Sequence, residues 1–239
     1  KPGLVFTSIS AFGQTGPNVA VVGHDLSIQG AAGMIDIPVG QEAGYGRPVL
    51  PLADIASAMF AVIGVVTALF ARAQQATTAR RGAHVDVSML DALVSWMAPF
   101  LVPPMNGLPV RPLPPPEPCY GLFGTADGRQ LTLSIAGEDE MWDALCELLG
   151  LQHFKGLTEA QRVAQNAELE APLRAAVARH DYAWLYRNFE ACGIAFGPVA
   201  KPDEVVSDPQ VMARGLEQVL PGAAGGATRR DRALDRADD

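Results

Sequence analysis

The chain has 239 residues, 49% apolar and 18% charged, which is enough apolar side chain for a buried core and argues against intrinsic disorder. Its formal charge of −8 speaks against a surface that binds nucleic acid. Three cysteines, Cys119, Cys146 and Cys192, lie far apart with no CxxC pair and no Cys/His cluster at zinc-ligand spacing. They read as reduced, buried thiols in a cytoplasmic protein without a metal.

The chain opens at Lys1, without Met, and no charged-then-apolar leader follows, in keeping with that location. Residues 4–9 (LVFTSI) read as a short buried strand, followed by a glycine loop at 11–17 (AFGQTGP). A helix is expected over 25–34, starting at Asp25, and loop or edge structure over 36–51. Asp54 then opens an apolar helix to about Gln74, with Asp as its N-cap. Ile55 to Ala71 carries no charge but falls short of the roughly 20 residues a bilayer needs. It reads as the buried helix of a soluble core rather than a membrane span. A break at 76–83, a strand at 84–89 and a helix at 90–102 follow. Residues 103–118 hold eight prolines, so no regular element is expected and a stiff connector is assigned there. Beyond it, 120–126 and 129–135 form a hairpin around Asp127-Gly128. Amphipathic helices are expected at 138–150, 158–179 and 181–192, a strand at 193–199, and a helix-containing segment at 201–215. The tail from Gly222 has no core-forming pattern and reads as loose. Tyr120, Phe123, Met141 and Trp142 are candidate core, and Asp86 and Asp91 structural. The organisation is α/β, residues 1–102, then the connector 103–118, a small α+β unit 119–200, and the return segment and tail 201–239.

Six segments in order carry a resemblance: SISAFGQTGP (8–17), GHDLSIQGAAG (23–33), PLADIASAMFAVIGVVTALFAR (51–72), RGAHVDVSMLDAL (81–93), YGLFGTADGRQLTLSI (120–135) and GIAFGPVAKPDEVVSDPQVMARG (193–215). Together they resemble the class III CoA-transferase family (the CaiB/BaiF type), which includes the α-methylacyl-CoA racemases. The resemblance implies a Rossmann-like large domain, incomplete here, plus a small α+β domain, in an interlocked homodimer. It further implies an N-terminally truncated member, beginning roughly a hundred residues into the family's usual length. Coenzyme A, as acyl-CoA, is the implied substrate, with a carboxylic acid beside it. Neither nucleic acid nor membrane is an expected partner.

Asp54 matches the family's catalytic aspartate, where Ala-Asp opens a long apolar helix. In the transferases that carboxylate attacks the donor thioester and carries CoA as an aspartyl thioester. From spacing alone, Asp54 reads as a plain N-cap; the surrounding motifs turn the reading to the catalytic one. His24 lies in a Gly-His-Asp triplet that the racemases use for one of two acid/base groups, where many transferases carry an aromatic residue. It could also bind CoA or cap the next helix. Glu138 falls near a glutamate that supports the racemase site, although Asp139 and Glu140 adjoin it and an acidic first helical turn is favourable by itself. Gly13, Gln14, Gly16, Asp25, Arg72 and Arg80 are the implied cofactor-side residues. The glycines could be turn chemistry alone, and Arg72, Arg80 and Arg81 could simply solvate a helix end.

Two activities follow from the resemblance: CoA transfer through Asp54, and racemisation by His24 with Asp54. Ser57 and Ala58 stand where racemases tend to have paired glycines, which favours transfer. A non-catalytic, truncated paralogue is the third reading. A dinucleotide-binding dehydrogenase is set aside because AFGQTGP does not match GxGxxG.

Overall fold

Strand β1 (Val5–Ser10) and strand β2 (Ala83–Ser88) pair in parallel, Val5 opposite Ala83 through Ser10 opposite Ser88. A parallel pair needs a long crossover, and helices α1 (Asp25–Ala31) and α2 (Leu52–Ala73) supply it. Helix α3 (Met89–Trp96) follows β2 directly, its start capped by the Ser88 hydroxyl, which accepts from the Asp91 N–H at 3.1 Å. The structure is a computed structural model describing residues 1–37, 49–76, 80–109 and 117–215, with the backbone of 217–221 and 227–231. It divides into two compact units, Lys1–Pro112 and Leu113–Asp239.

In the first unit α2 packs on β1, β2, α1 and α3. The core between them is small-residue packing: Ile28, Ala32, Ala53, Ala56, Met89, Ala92 and Leu93. Gly23 permits it, because a Cβ there would sit 3.0 Å from Ile28 and 3.2 Å from Ala11.

Several expectations change in this unit. The expected helix over 25–34 ends at Ala31 and is followed by a 3-10 turn at Met34–Asp36. Helix α2 begins at Leu52, not at Asp54: the first i→i−4 bond runs from the Ile55 N–H to the Pro51 carbonyl. Asp54 is therefore the third helical residue rather than the N-cap. The expectation of a buried α2 also fails. Ala53, Ala56, Ser57 and Ala61 face the core, while Ile55, Met59, Val62, Ile63, Val66, Leu69 and Phe70 are exposed. By length and composition α2 is apolar enough to cross a membrane, yet its small-residue stripe is seated on the core just described. The expected helix over 90–102 is two, α3 and α4 (Ala98–Met105), broken at Met97. Pro99 has no N–H to give the Ser95 carbonyl, so the ladder cannot continue. α4 in turn runs through Pro103 and Pro104, where no regular element was expected. Both sit in its last turn, and its end is closed by the Asn106 N–H on Val102 and the Leu108 N–H on Pro103. Of the expected connector, 110–116 lie outside the described residues, as do 38–48 of the expected loop.

In the second unit β3 (Tyr120–Gly124), β4 (Gln130–Ser134) and β5 (Phe196–Pro198) form an antiparallel sheet in that order. Helices α5 (Asp139–Leu149), α6 (Glu159–Ala164), α7 (Asn166–Val177) and α8 (Tyr182–Ala191) lie between β4 and β5 in sequence. One helix was expected over 158–179, but the chain leaves helical geometry at Gln165, φ −104° and ψ 16°. Trp142, Phe123, Leu131, Leu133, Leu145 and Phe189 are among the fully buried core. Tyr120 is exposed rather than core, since it sits on the β3 face opposite Phe123. Cys119 and Cys146 are buried free thiols, whereas Cys192 is exposed, at the C-terminal end of α8. Short helices α9 (Pro202–Val205) and α10 (Pro209–Ala213) follow. The tail expected to be loose contains a strand: β7 (Ala227–Asp231) pairs antiparallel with β6 (Glu217–Pro221). Its Arg- and Thr-bearing sequence lacks the apolar alternation that marks a half-buried strand.

A buried ionic cluster, unmarked in the sequence, ties this unit together. The Arg162 side chain is fully buried on α6, its Nε 2.6 Å from the Glu117 carboxylate and its Nη1 2.6 Å from Asp139. Glu117 also accepts from the Gly137 N–H at 2.6 Å.

Candidate active site

The first turn of α2 and the start of α1 face a common cleft of about 250 Å³, lined by His24, Asp25, Leu26, Val49, Leu50, Pro51 and Asp54. Its lining combines polar His24, Asp25 and Asp54 with apolar Leu26, Val49, Leu50 and Pro51, the mixture usual in a small-molecule site. The volume is below the roughly 300–1,000 Å³ of a whole ligand pocket and suits the reacting end of a larger substrate.

Asp54 is exposed on this cleft, and no side chain among the described residues bonds its carboxylate. Its position in the first helical turn places the carboxylate where the helix dipole favours negative charge, by roughly 0.3–1 kcal/mol. Among the described residues the Asp54 N–H donates to no acceptor either, whereas the preceding Ala53 N–H is taken. His24 is the N-cap residue of α1, at φ −112° and ψ 170°, and its ring makes no capping bond. Both candidate acid/base groups therefore border one cavity, and neither side chain is hydrogen-bonded among the described residues.

Asp25 is engaged instead. Its Oδ1 accepts from the Ala53 N–H at 2.8 Å, capping α2 from another element. Its Oδ2 accepts from the Gln29 Nε2 at 2.7 Å, and the same Nε2 reaches the Leu50 carbonyl at 3.1 Å. Gln29 is fully buried, and its Oε1 has no partner among the described residues. An orphaned buried acceptor costs about 1–3 kcal/mol. Gln29 was not singled out from the sequence. The available signal was the Asp/Gln pair at i, i+4 on one helix face.

The remaining candidates lie elsewhere. Gly13 and Gly16 take positive φ, 84° and 89°, in the loop after β1. The Gln14 N–H donates to Asp86 at 3.0 Å and its side chain to the Ser10 hydroxyl at 3.3 Å. None of the three lines the cleft. Arg72 stands about five turns further along α2, about 27 Å from Asp54 at 1.5 Å per residue. There it donates to the Gly3 carbonyl at 2.6 Å and staples the helix end to the start of β1. Arg80 is exposed beyond that helix. Glu138 belongs to the second unit, where it is the N-cap residue of α5 and accepts from the Ala136 N–H at 2.7 Å. Of the adjoining acids, Asp139 is bound to Arg162 and to the Glu159 N–H, and Glu140 is exposed.

Comparison with known proteins gives a consistent result. The family model described as CoA-transferase family III matches residues 1–234, which takes in the tail as well. A succinate–glutarate CoA-transferase of Agrobacterium fabrum is 29% identical over 239 residues, covering 94% of this chain and 57% of that protein. An acetyl-CoA:oxalate CoA-transferase of Acetobacter aceti is 27% identical, covering 90% and 56%. An α-methylacyl-CoA racemase of Mus musculus is 31% identical over 161 residues, 64% of this chain and 40% of that one. The chain thus spans about half the length of the curated relatives it matches. Among solved structures, a CAIB/BAIF family protein from Brucella suis superposes with a TM-score of 0.75 at 24% identity, covering 97% of this chain and 64% of that one. Rv3272 from Mycobacterium tuberculosis does so with a TM-score of 0.78, also at 24% identity, covering 97% and 62%. The fold of both units is that of this group of structures.

Proposed function

The chain belongs to CoA-transferase family III, and on that premise we propose that the protein moves coenzyme A from an acyl-CoA to a carboxylic acid, with Asp54 as covalent nucleophile. The observation that carries the reading is a carboxylate in the first turn of a long helix, open to a cleft and bonded by no side chain among the described residues. The carboxylate attacks the donor thioester carbonyl, the C–S bond breaks, and a mixed anhydride and CoA thiolate result. The thiolate then attacks the aspartyl carbonyl carbon, releasing the donor acid and leaving an Asp54–CoA thioester. The acceptor carboxylate repeats both steps in reverse, leaving as its CoA thioester and regenerating Asp54. Each addition builds an oxyanion beside the start of α2, where the Asp54 N–H, without an acceptor among the described residues, and the helix dipole would stabilise it. Acyl-CoA and carboxylate substrates, an interlocked homodimer and a cytoplasmic location belong to the same proposal. Roles for Gly13, Gln14, Gly16, Arg72, Arg80 and Glu138 toward CoA do so too, each to be assigned by substitution.

The relatives' names make succinyl-CoA with glutarate the first pair to assay in the whole protein. Hydroxylamine added during turnover is expected to convert Asp54 to its hydroxamate, located by peptide mass. Transfer without any trapped aspartyl species would overturn the covalent role.

A second reading, α-proton exchange by His24 and Asp54, is favoured by one observation: the two side chains border the same cleft. It predicts α-deuterium in acyl-CoA incubated in heavy water with no acceptor present. Failure of the protein to bind CoA at all would instead favour a non-catalytic paralogue.

A further inference from the structure

We propose that Asp25 and Gln29 are positioning residues, a clamp that sets the direction of Asp54 within the cleft; the proposal rests on the reading of Asp54 as the reactive group. Three segments meet at this clamp. Gln29 lies on α1, Leu50 in the stretch before α2, and Ala53 in the first turn of α2, next to Asp54. The Asp25 carboxylate holds the Ala53 N–H with one oxygen and Gln29 with the other, at 2.8 and 2.7 Å. Gln29 closes the triangle on the Leu50 carbonyl at 3.1 Å. His24 immediately precedes Asp25, so the same clamp spaces both cleft-facing groups.

The orientation of the buried amide makes the argument. Nε2 faces two acceptors, and turning the amide over would press Oε1 against a carboxylate and a carbonyl. The observed orientation leaves Oε1 without a partner among the described residues. An apolar side chain of the same size would avoid that orphan acceptor. Gln29 is therefore a poor choice for packing alone and a good one for tying α1 to the start of α2. Asp25 likewise supplies from outside the cap that Pro51, with no side-chain acceptor, cannot give.

Gln29→Met keeps the volume, removes the orphan acceptor and opens the triangle. Measured in the whole protein, it is expected to hold the thermal midpoint within a few degrees and lower kcat about 10- to 100-fold, as a small misplacement of a reacting group does, with KM for acyl-CoA changed less than about twofold. Asp25→Asn keeps an oxygen for Ala53 but turns an amide N–H toward Gln29, and is expected to fall between wild type and Asp25→Ala. Ile28→Val thins the α1–α2 packing without touching the clamp and is expected to keep kcat. Wild-type kcat in Gln29→Met, or the same kcat loss in Ile28→Val, overturns the clamp. Retained transfer in Asp54→Asn overturns the underlying assignment instead, and the two failures are read from different variants.

Discussion

The two units bury their side chains in opposite ways. The second unit seals large residues, Trp142, Phe123, Phe189 and eight leucines with them, around a buried Arg162. The first keeps a core made largely of alanines and leaves the long apolar face of α2 and the β1 residues Phe6 and Ile9 exposed. Full burial of a large apolar side chain contributes about 1.5–3 kcal/mol against almost nothing for alanine. Stability local to this chain is therefore concentrated in the second unit. The cleft is in the first, with Asp54 and His24 bonded by no side chain among the described residues. The proposed reaction site thus lies in the unit with less of its surface committed to packing.

The largest effect should fall on activity and leave stability alone. Asp54→Asn removes the proposed nucleophile and breaks no side-chain hydrogen bond among the described residues, so transfer is expected to drop about 10³-fold or more. The free energy of unfolding is expected to change by no more than about 0.5 kcal/mol. A marked loss of stability in this variant would mean that Asp54 is a structural cap after all, and the contrast between the units would blur.

The next effect belongs to the second unit. Arg162→Met leaves Glu117 buried without its cation, and breaking such a pair costs about 3–5 kcal/mol. Denaturation followed by the fluorescence of the buried Trp142 is the direct measurement. The double variant Arg162→Met with Glu117→Leu should recover most of that loss, because a matched apolar pair has no orphan charge. If the single variant costs less than about 1 kcal/mol, the ionic cluster is not what holds the unit.

What the sequence made legible follows from the range of the interactions involved. The β3–β4 hairpin could be read from Asp127-Gly128, where Gly128 takes a φ of 77° that suits glycine. Helix α5 could be read because its apolar spacing is local. The start of α2 could not, because the group that caps it, Asp25, lies 28 positions upstream in another helix. Arg162 carried no signal in the sequence beyond its place in an expected helix, and only the fold brings Glu117, 45 positions away, against it. In the cleft, Asp54 and His24 were each visible within a motif. That they share one cavity, and that Gln29 braces it, depends on how α1 and α2 pack. The exposed face of α2 was misread for a related reason: hydropathy reports what a helix could bury, not what the chain places over it.

The thiols sharpen the contrast at a smaller scale. Burial, and after it the Glu117 carboxylate, pushes the Cys119 thiol up to about 12, and burial together with Asp143 does the same for Cys146. Both are protonated at neutral pH and poor nucleophiles. Iodoacetamide at pH 8 is expected to label the exposed Cys192 alone, as read by peptide mass. The sign for stability follows. Between the ordinary value of 9.0 and about 12 the unfolded chain has lost protons that the folded one keeps, so stability falls as pH rises through that window. Rapid labelling of Cys119 in the native protein would show that the second core is less sealed than its burial implies.

The smallest expected effect lies at the β3–β4 turn. Asp127 accepts from the Thr125 hydroxyl at 2.5 Å and from the Tyr182 N–H at 3.1 Å, tying the turn to the first residue of α8. The Thr125 bond, with lesser help from Tyr182 and Arg129, holds the Asp127 carboxyl below its ordinary 3.8. For a depressed acid the contribution is fully present above the unfolded value and is lost as pH falls through the folded one. Asp127→Asn should therefore lower the thermal midpoint slightly at pH 7, and the gap between variant and wild type should close below pH 3.8. Because this carboxylate is fully exposed, solvent screens it and the shift is expected to be a degree or two at most, about the scale of other surface contacts. A gap that persists unchanged at low pH would mean that the turn is held by its backbone geometry at Gly128. The second unit would then owe its order to packing and the Arg162 cluster, with no share from surface charge.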